Sequence, residues 1–398
     1  MKVLIVGGVA GGAGAATRLR RLDESADIII FERGKHVSYA NCGLPYYLGG
    51  EIKGEENLTV ATPAFLKKRF NIDVRVNSEV VAIDLKARKI SVRSADREYT
   101  ESYDKLVLAP GAKANTFGIS GDGVFTLKDV TDTLSIDAYI ASKEVTEVLV
   151  AGGGFIGTET AENLAKRGIK VTLAEFGQQI MPPLDPEIAI MVQEELEANG
   201  IKVLTGMGIK SVKNVDDGIE AEFTDSSRAR FGAVVLAMGV KPESALAEKA
   251  GLKISPTGGI ATDDYMLTSD ENVYAAGDAV AVIGADGTET LVPLAGPANR
   301  QARSVATNIA GGKDSNGRRV FGASVVKAFS LTAACVGKNE KQLKAAGVKY
   351  LKAYAFPMSH AGYYPGAKQM ALKLLFAPDG KVLGAEGAGK EFVEKQID

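Results

Sequence analysis

Cys42 is the residue whose type and setting best fit covalent chemistry. It stands in S-Y-A-N-C-G-L-P-Y (Ser38 to Tyr46), with polar Ser38 and Asn41 before it and Gly43 after it, a poor setting for a thiol buried as filler. A helix is predicted to begin just beyond, and a thiol at a helix N-terminus has its thiolate favoured, the form that acts as a nucleophile. No second cysteine follows at a C-x-x-x-x-C spacing, so the chain supplies no dithiol relay. One sulfur has two routes open to it: a mixed disulfide with a small thiol, or a sulfenic acid formed from peroxide or oxygen. The other cysteine, Cys335, lies in the apolar L-T-A-A-C-V-G and reads as core filling.

Glycine is the second chemical signal. The chain has 45 glycines among 398 residues, about 11% against an average near 7%, and many gather in two copies of one unit. Lys2 to Val6, β-branched and apolar, leads into G-G-V-A-G-G (Gly7 to Gly12), a helical stretch Ala13 to Asp23, and the strand Asp27 to Phe31 ending at Glu32. Val148 to Ala151 leads into G-G-G-F-I-G (Gly152 to Gly157), a helix Thr158 to Arg167, and the strand Lys170 to Ala174 ending at Glu175. From last glycine to acid the gaps are 20 and 18 residues, the layout of a βαβ dinucleotide-binding unit. Glycine lets the main chain approach a pyrophosphate, which rests on the N–H groups and dipole of the helix N-terminus, while the acid accepts hydrogen bonds from a ribose. The second copy is complete in Gly152, Gly154, Gly157 and Glu175; the first has Val9 in place of the middle glycine. Two such units in one chain point to two cofactors, commonly a flavin and a nicotinamide.

Further elements fall into place around them. Leu106 to Leu108 closes on A-P-G (Ala109 to Gly111), Val234 to Ala237 closes on A-M-G (Ala237 to Gly239), and T-S-D-E-N-V-Y-A-A-G-D (Thr268 to Asp278) is another short strand ending at a glycine and an acid. The fold class is therefore α/β, with two Rossmann-like dinucleotide-binding domains: an FAD domain over 1–112 and 240–315, and a NAD(P)H domain over 113–239 inserted between its halves. Residues 316–398 form an α+β third domain with a strand at Ser324 to Ser330, a helical K-N-E-K-Q-L-K-A-A-G, and alternating strands Lys349 to Ala355 and Met370 to Phe376. A chain of 398 residues has room for several domains. With 45% hydrophobic and 24% charged residues, disordered, collagen-like and coiled-coil chains are excluded. Lys+Arg 47 against Asp+Glu 49 leaves no basic footprint for nucleic acid or an anionic membrane. The longest uncharged stretch, Val3 to Thr17, is too short and glycine-rich to span a bilayer. Two cysteines build no disulfide framework and suit the cytoplasm, so the expected partners are small molecules.

G-G-V-A-G-G, T-R-L-R-R-L-D, S-Y-A-N-C-G-L-P-Y-Y, G-G-G-F-I-G-x-E and H-A-G-Y-Y-P-G-A-K together resemble, over essentially the whole chain, the coenzyme A-disulfide reductase and NADH-dependent persulfide reductase family, the single-cysteine branch of the pyridine nucleotide-disulfide oxidoreductases. The resemblance implies a cytoplasmic homodimer, paired through its C-terminal domain, with FAD, a nicotinamide and CoA as ligands. It implies that Gly7, Gly12, Glu32, Arg33, Val80, Ala109, Gly111 and Asp278 hold FAD, Asp278 on the ribityl chain. Gly152, Gly154, Phe155, Gly157, Glu159, Glu175 and Gly239 would hold the nicotinamide cofactor, with Phe155 shielding the flavin and Glu159 near the nicotinamide. Glu175 would repel a 2′-phosphate, so NADH is expected over NADPH. For CoA, Arg18 and Arg21 share a helix face at i and i+3 and would grip its nucleotide end. Ser38 and Asn41 would neighbour the substrate sulfur, Asn299 and Arg303 would line the channel, and Tyr363 or Tyr364 would reach the reacting sulfur from the partner subunit.

The implied activity carries electrons from NAD(P)H through FAD to a mixed disulfide of Cys42 with CoA, so that CoA-disulfide or CoA-persulfide is reduced and Cys42 is both nucleophile and relay. Three departures stand out: Val9, Gly14 where relatives have a small hydroxyl residue, and an end at Asp398, which predicts an incomplete third domain. Three rival readings compete. An NADH oxidase or peroxidase would work through a Cys42 sulfenic acid, but Ala10 stands where that branch carries a histidine, and the histidines of this chain are His36 and His360. A ferredoxin-type reductase would leave Cys42 dispensable, and a non-catalytic FAD/NAD-binding redox sensor would bind cofactor without turning over a disulfide.

Overall fold

The computed structural model describes residues 1–284, 286–315 and 317–397; positions 316 and 398, the expected bounds of the third domain, lie outside the described residues. The chain gathers into two compact units, one of Met1–Ala40, Glu55–Lys113 and Val240–Val320, the other of Asn41–Gly54, Ala114–Gly239 and Phe321–Asp398.

The first unit is built on a five-stranded parallel sheet in the order Val273–Ala275, Lys105–Leu108, Lys2–Val6, Asp27–Phe31, Asp73–Arg75. Strands covered on both faces read as unbroken apolar runs, and Val3, Leu4 and Ile5 are wholly buried, each stabilising the fold by roughly 1.5–3 kcal/mol. The helix Ala10–Leu22 follows the first strand and packs on the helix Ala295–Ile309. Gly14 sits at that contact, where a Cβ would stand 3.0 Å from the Ala302 methyl. A three-stranded antiparallel sheet, Ser78–Asp84, Lys89–Ser94 and Glu98–Ser102, completes this unit.

The second unit repeats the plan with the order Lys202–Leu204, Lys170–Ala174, Glu147–Ala151, Ala233–Leu236, Val124–Thr126, again parallel. The outermost strand beyond the A-x-G strand comes from later in the chain in the first unit and from earlier in the second. Residues 324–389 add an antiparallel sheet in the order Ser324–Ala328, Leu331–Gly337, Val382–Gly389, Met370–Phe376, Leu351–Ala355. Two of these strands, Leu331–Gly337 and Val382–Gly389, were not expected from the sequence. No helix among the described residues is long and apolar enough to cross a membrane.

Both glycine-turn helices begin three residues before their predicted starts, at Ala10 and Phe155. Glycine's low helix propensity argues for a later start, but Gly11, Gly12 and Gly157 are buried against neighbouring main chain and side chains. Tertiary packing prevails, and the turn passes straight into the first helical turn.

Candidate active site

The two glycine turns have the same geometry. Gly7 and Gly152 take φ of +94° and +105°, a region open to glycine. A Cβ on Gly7 would overlap the Ala109 carbonyl, and one on Gly152 the Ala237 carbonyl, while a Cβ on Gly12 or Gly157 would overlap the carbonyl of Gly7 or Gly152. Each acid is held by two main-chain donors. The Gly8 N–H donates to Glu32 Oε2 (2.9 Å) and the Gly34 N–H to Oε1 (2.8 Å); the Gly153 N–H donates to Glu175 Oε2 (2.7 Å) and the Gly177 N–H to Oε1 (2.6 Å). A carboxylate oxygen has two lone pairs, so each acid keeps acceptor capacity for ribose hydroxyls. Around Gly154, at the N-cap of the helix Phe155–Lys166, nothing comes within 4 Å of where a Cβ would be. That open space and the free first-turn N–H groups fit a pyrophosphate. Val9 caps the helix Ala10–Leu22 at the matching position.

Gly111 and Gly239 end their A-x-G turns at φ of +75° and +80°. Asp278 follows the strand Val273–Ala275 beside Lys105–Leu108, and its neighbour Gly277 donates its N–H to Gln301 Oε1 at 2.7 Å. Gly7, Ala109 and Asp278 thus gather at the carboxyl ends of adjacent parallel strands, where open α/β sheets bind ligands. Arg33 lies 3.6 Å from Glu243, and Val80 is buried in the core of the first unit, next to a register shift in its strand.

The CoA candidates divide between the units. Arg18 lies on the helix Ala10–Leu22 with its Nε buried and without a hydrogen-bond partner, a donor left for an anion. Arg21 is placed over the Phe70 ring at 5.3 Å. Arg20, unassigned from the sequence, is buried and donates to the carbonyls of Glu24, Phe70 and Asn71 at 2.6–3.1 Å, a structural tie. Asn299 and Arg303 are exposed at i and i+4 on Ala295–Ile309. Ser38 holds φ of +46°, pinned by its N–H to the Gly8 carbonyl (2.8 Å) and by its carbonyl accepting from Val60 (2.7 Å).

Asn41 and Cys42 open the segment 41–54 of the second unit. Cys42 lies in the 3-10 turn Asn41–Gly43, which runs into a helix of five residues, Leu44–Leu48. Its side chain is exposed and free. The expectation of a favoured thiolate is corrected here: although the side chain reaches solvent, the protein packed around its sulfur desolvates the thiol and pushes it up, and the Glu159 carboxylate pushes it further, against a main-chain hydrogen bond that lowers it. Glu159 itself is pushed up to about 7 by burial, against a hydrogen bond from the Tyr46 hydroxyl and with a contribution from Glu162. Tyr46, Glu162 and Lys166 were not singled out from the sequence; the i+4 step from Cys42 to Tyr46 and the i+3 step from Glu159 to Glu162 were the available signals.

Tyr363 and Tyr364 lie between the strands Leu351–Ala355 and Met370–Phe376, 92% and 64% exposed, so neither is buried within its own chain. The Tyr364 ring meets His360 edge-on at 5.4 Å. Cys335 is buried as expected, yet it faces Ser324 Oγ at 3.3 Å and pairs across the sheet with Glu386. Glu386 pairs in turn with Lys373, a fully buried lysine whose Nζ reaches Asp185 (2.7 Å), Glu187 (2.6 Å) and Glu340 (2.6 Å). The signal for this cluster was a lysine inside the apolar strand M-A-L-K-L-L-F.

Residues 1–302 match the family described as "Pyridine nucleotide-disulphide oxidoreductase", and residues 323–397 match its dimerisation domain. The chain belongs to the pyridine nucleotide-disulphide oxidoreductases. Within that family it is 34% identical to the coenzyme A disulfide reductase of Staphylococcus aureus strain JH9, over all of this chain and 90% of that one. Among solved structures it is similar to the reduced Bacillus anthracis CoADR-RHD (43% identity, TM-score 0.97, all of this chain and 72% of that one) and to a NAD-dependent persulfide reductase from A. fulgidus (37%, 0.96, all of this chain and 75% of that one). As a pyridine nucleotide-disulphide oxidoreductase it is an FAD- and NADH-using enzyme, and its match to the family's dimerisation domain points to a homodimer.

Proposed function

We propose that the chain reduces CoA-disulfide or CoA-persulfide with NADH through a Cys42–S–S–CoA mixed disulfide. One observation carries this reading: Cys42 is exposed and free, while Cys335, the other cysteine of the chain, is buried in the C-terminal sheet. The second sulfur must then come from the substrate. Residues 1–112 with 240–315 hold FAD through Gly7, Gly12, Glu32, Ala109, Gly111 and Asp278, residues 113–239 hold NADH through Gly152, Gly154, Gly157, Glu175 and Gly239, and 316–398 pair the subunits. FAD, when bound, relays an electron pair from NADH to sulfur.

The Cys42 thiolate attacks one sulfur of CoA-disulfide; a Cys42–S bond forms, the CoA S–S bond breaks, and one CoA leaves as thiolate. The electron pair then opens the mixed disulfide, freeing the second CoA and restoring Cys42. With CoA-persulfide, the same attack releases sulfide. Ser38 and Asn41 precede the sulfur in sequence, Arg18 offers its unpartnered Nε to a CoA phosphate, and Tyr363 or Tyr364 acts in the partner's site. Glu175, already fixed by two N–H donors, repels a 2′-phosphate and favours NADH. Two unpaired thiols support assigning the enzyme to a reducing compartment such as the cytoplasm.

The test is to denature the purified protein with and without reductant and weigh the chain and what it releases. CoA freed only by reductant supports the mixed disulfide; a Cys42 that is unmodified or singly oxygenated favours a sulfenic acid route or a sensor, and one that stays so after incubation with CoA-disulfide refutes the mixed disulfide.

A further inference from the structure

Tyr46 lies one helical turn beyond Cys42, on the same face of the 41–48 stretch. Its hydroxyl donates to Glu159 Oε1 at 3.2 Å, joining the helix Leu44–Leu48 to the helix Phe155–Lys166. Glu162, three residues after Glu159, is wholly buried, and the cation beside it is Lys166 at 2.7 Å, which also bonds Glu51 at 2.7 Å. Lys327, from the strand Ser324–Ala328, acts on Glu51, and Arg167 pairs with Asp137 of the helix Val130–Ser142. The neighbouring cations are thus engaged by other carboxylates, and the partner of Glu159 is a phenol. A carboxylate so placed exchanges its proton readily near neutral pH, and it does so beside a sulfur whose charge alternates during turnover.

We propose that Glu159, held by Tyr46, is the proton reservoir of Cys42, taking up a proton when the mixed disulfide is reduced and giving it up when the next one forms. This rests on the mixed-disulfide reading. In the reductive step, Cys42–S–S–CoA, the Glu159 carboxylate, two electrons from NADH and two protons become the Cys42 thiolate, protonated Glu159 and CoA thiol. In the next step the Cys42 thiolate, protonated Glu159 and CoA-disulfide become the mixed disulfide, the Glu159 carboxylate and CoA thiol, so the stored proton departs on the leaving group. Each step conserves charge, and Cys42 and Glu159 are never both anionic. Burial and the Glu162 charge hold Glu159 near 7 while the Tyr46 hydroxyl pulls the other way, and the Glu159 charge in turn raises Cys42. Tyr46 is a positioning residue acting through Glu159.

The test reads the thiol directly. The reduced holoenzyme is alkylated with iodoacetamide between pH 5 and 10, and modification of Cys42 is followed by intact mass. In the unmodified protein the rate should rise over a broadened range, because two groups titrate together. Glu159→Gln should give a single-proton curve displaced to lower pH, with rates nearly coincident at pH 6, where Glu159 is protonated, and up to about tenfold faster above pH 7, where it is ionised. Tyr46→Phe should also move the curve to lower pH, by less, because Glu159 stays protonated to higher pH without the phenol. A purely structural role would change FAD content or melting and leave the pH profile in place. Superimposable profiles for Glu159→Gln and the unmodified enzyme overturn the proposal; if Glu159→Gln does not fold, an unshifted Tyr46→Phe profile does so. CoA released as each sample is first reduced is scored before alkylation, so loss of the mixed-disulfide reading and loss of the proton reservoir appear as separate results.

Discussion

Replacing Lys373 by methionine removes the buried ammonium that faces Asp185, Glu187, Glu340 and Glu386. These carboxylates would not suffer equally. Glu187 is 40% exposed and can turn to water, and Glu340 keeps Lys352 at 2.9 Å and the Tyr350 hydroxyl. The Asp185 carboxylate, 1% exposed, keeps among the described residues the N–H of Glu340, while the Asp185 N–H itself donates to Glu386 Oε2 at 2.6 Å. One buried carboxylate left without its cation costs about 3–5 kcal/mol. At roughly 2–4 °C per kcal/mol for a cooperative unit of this size, the melting temperature should fall by roughly 6–20 °C. Unfolding of a flavoenzyme dimer is subject to irreversible loss, so melting is compared at one scan rate and one FAD concentration. The double variant Lys373→Met, Asp185→Asn should recover part of the loss, because it removes the stranded charge. A single variant melting within about 2 °C of the unmodified enzyme, or a double variant no better than the single, would refute the reasoning.

The remaining expectations concern sulfur, protons and cofactor choice. Cys42→Ser should keep its flavin absorbance and lose CoA-disulfide reduction; turnover at an undiminished rate in a steady-state NADH assay sinks the mechanism. Burial, then its hydrogen bond to Asp185, pushes Glu386 up to about 8. A carboxyl whose folded value exceeds its unfolded value costs stability as pH rises from about 4.5 to 8, since only the unfolded state then sheds the proton; melting curves across that window should decline, and Glu386→Gln should flatten the decline. Glu175→Ala should narrow the preference for NADH over NADPH, read as the ratio of kcat/KM for the two nucleotides. Tyr363→Phe and Tyr364→Phe, assayed with CoA-disulfide, should differ, with the tyrosine that acts on sulfur losing rate and the other close to unchanged; equal full rates for both would refute a role for either hydroxyl.

Much of this chain is legible in its sequence because glycine and acid positions are fixed by close backbone approach. Gly7, Gly12, Glu32 and their counterparts Gly152, Gly157 and Glu175 could be paired before any coordinate, and the parallel strands that carry them fall within a residue of their expected limits. What depends on tertiary contact was hidden. The segment 41–54 packs with the second unit although its neighbours in sequence belong to the first. The helix starts were displaced by buried glycines, and the thiol of Cys42 answers to Glu159, a residue more than a hundred positions away. Lys373 had no outward sign of its four acidic neighbours beyond being a lysine among leucines.

Each nucleotide seat is stapled twice, its glycine loop and the bend after its second strand both clasped by one carboxylate. An incoming dinucleotide therefore meets a mould already set, and the loss of chain freedom that would otherwise weaken its grip was met when the protein folded. Severing one staple should loosen the seat through the chain's own slackness as much as through a missing ribose contact.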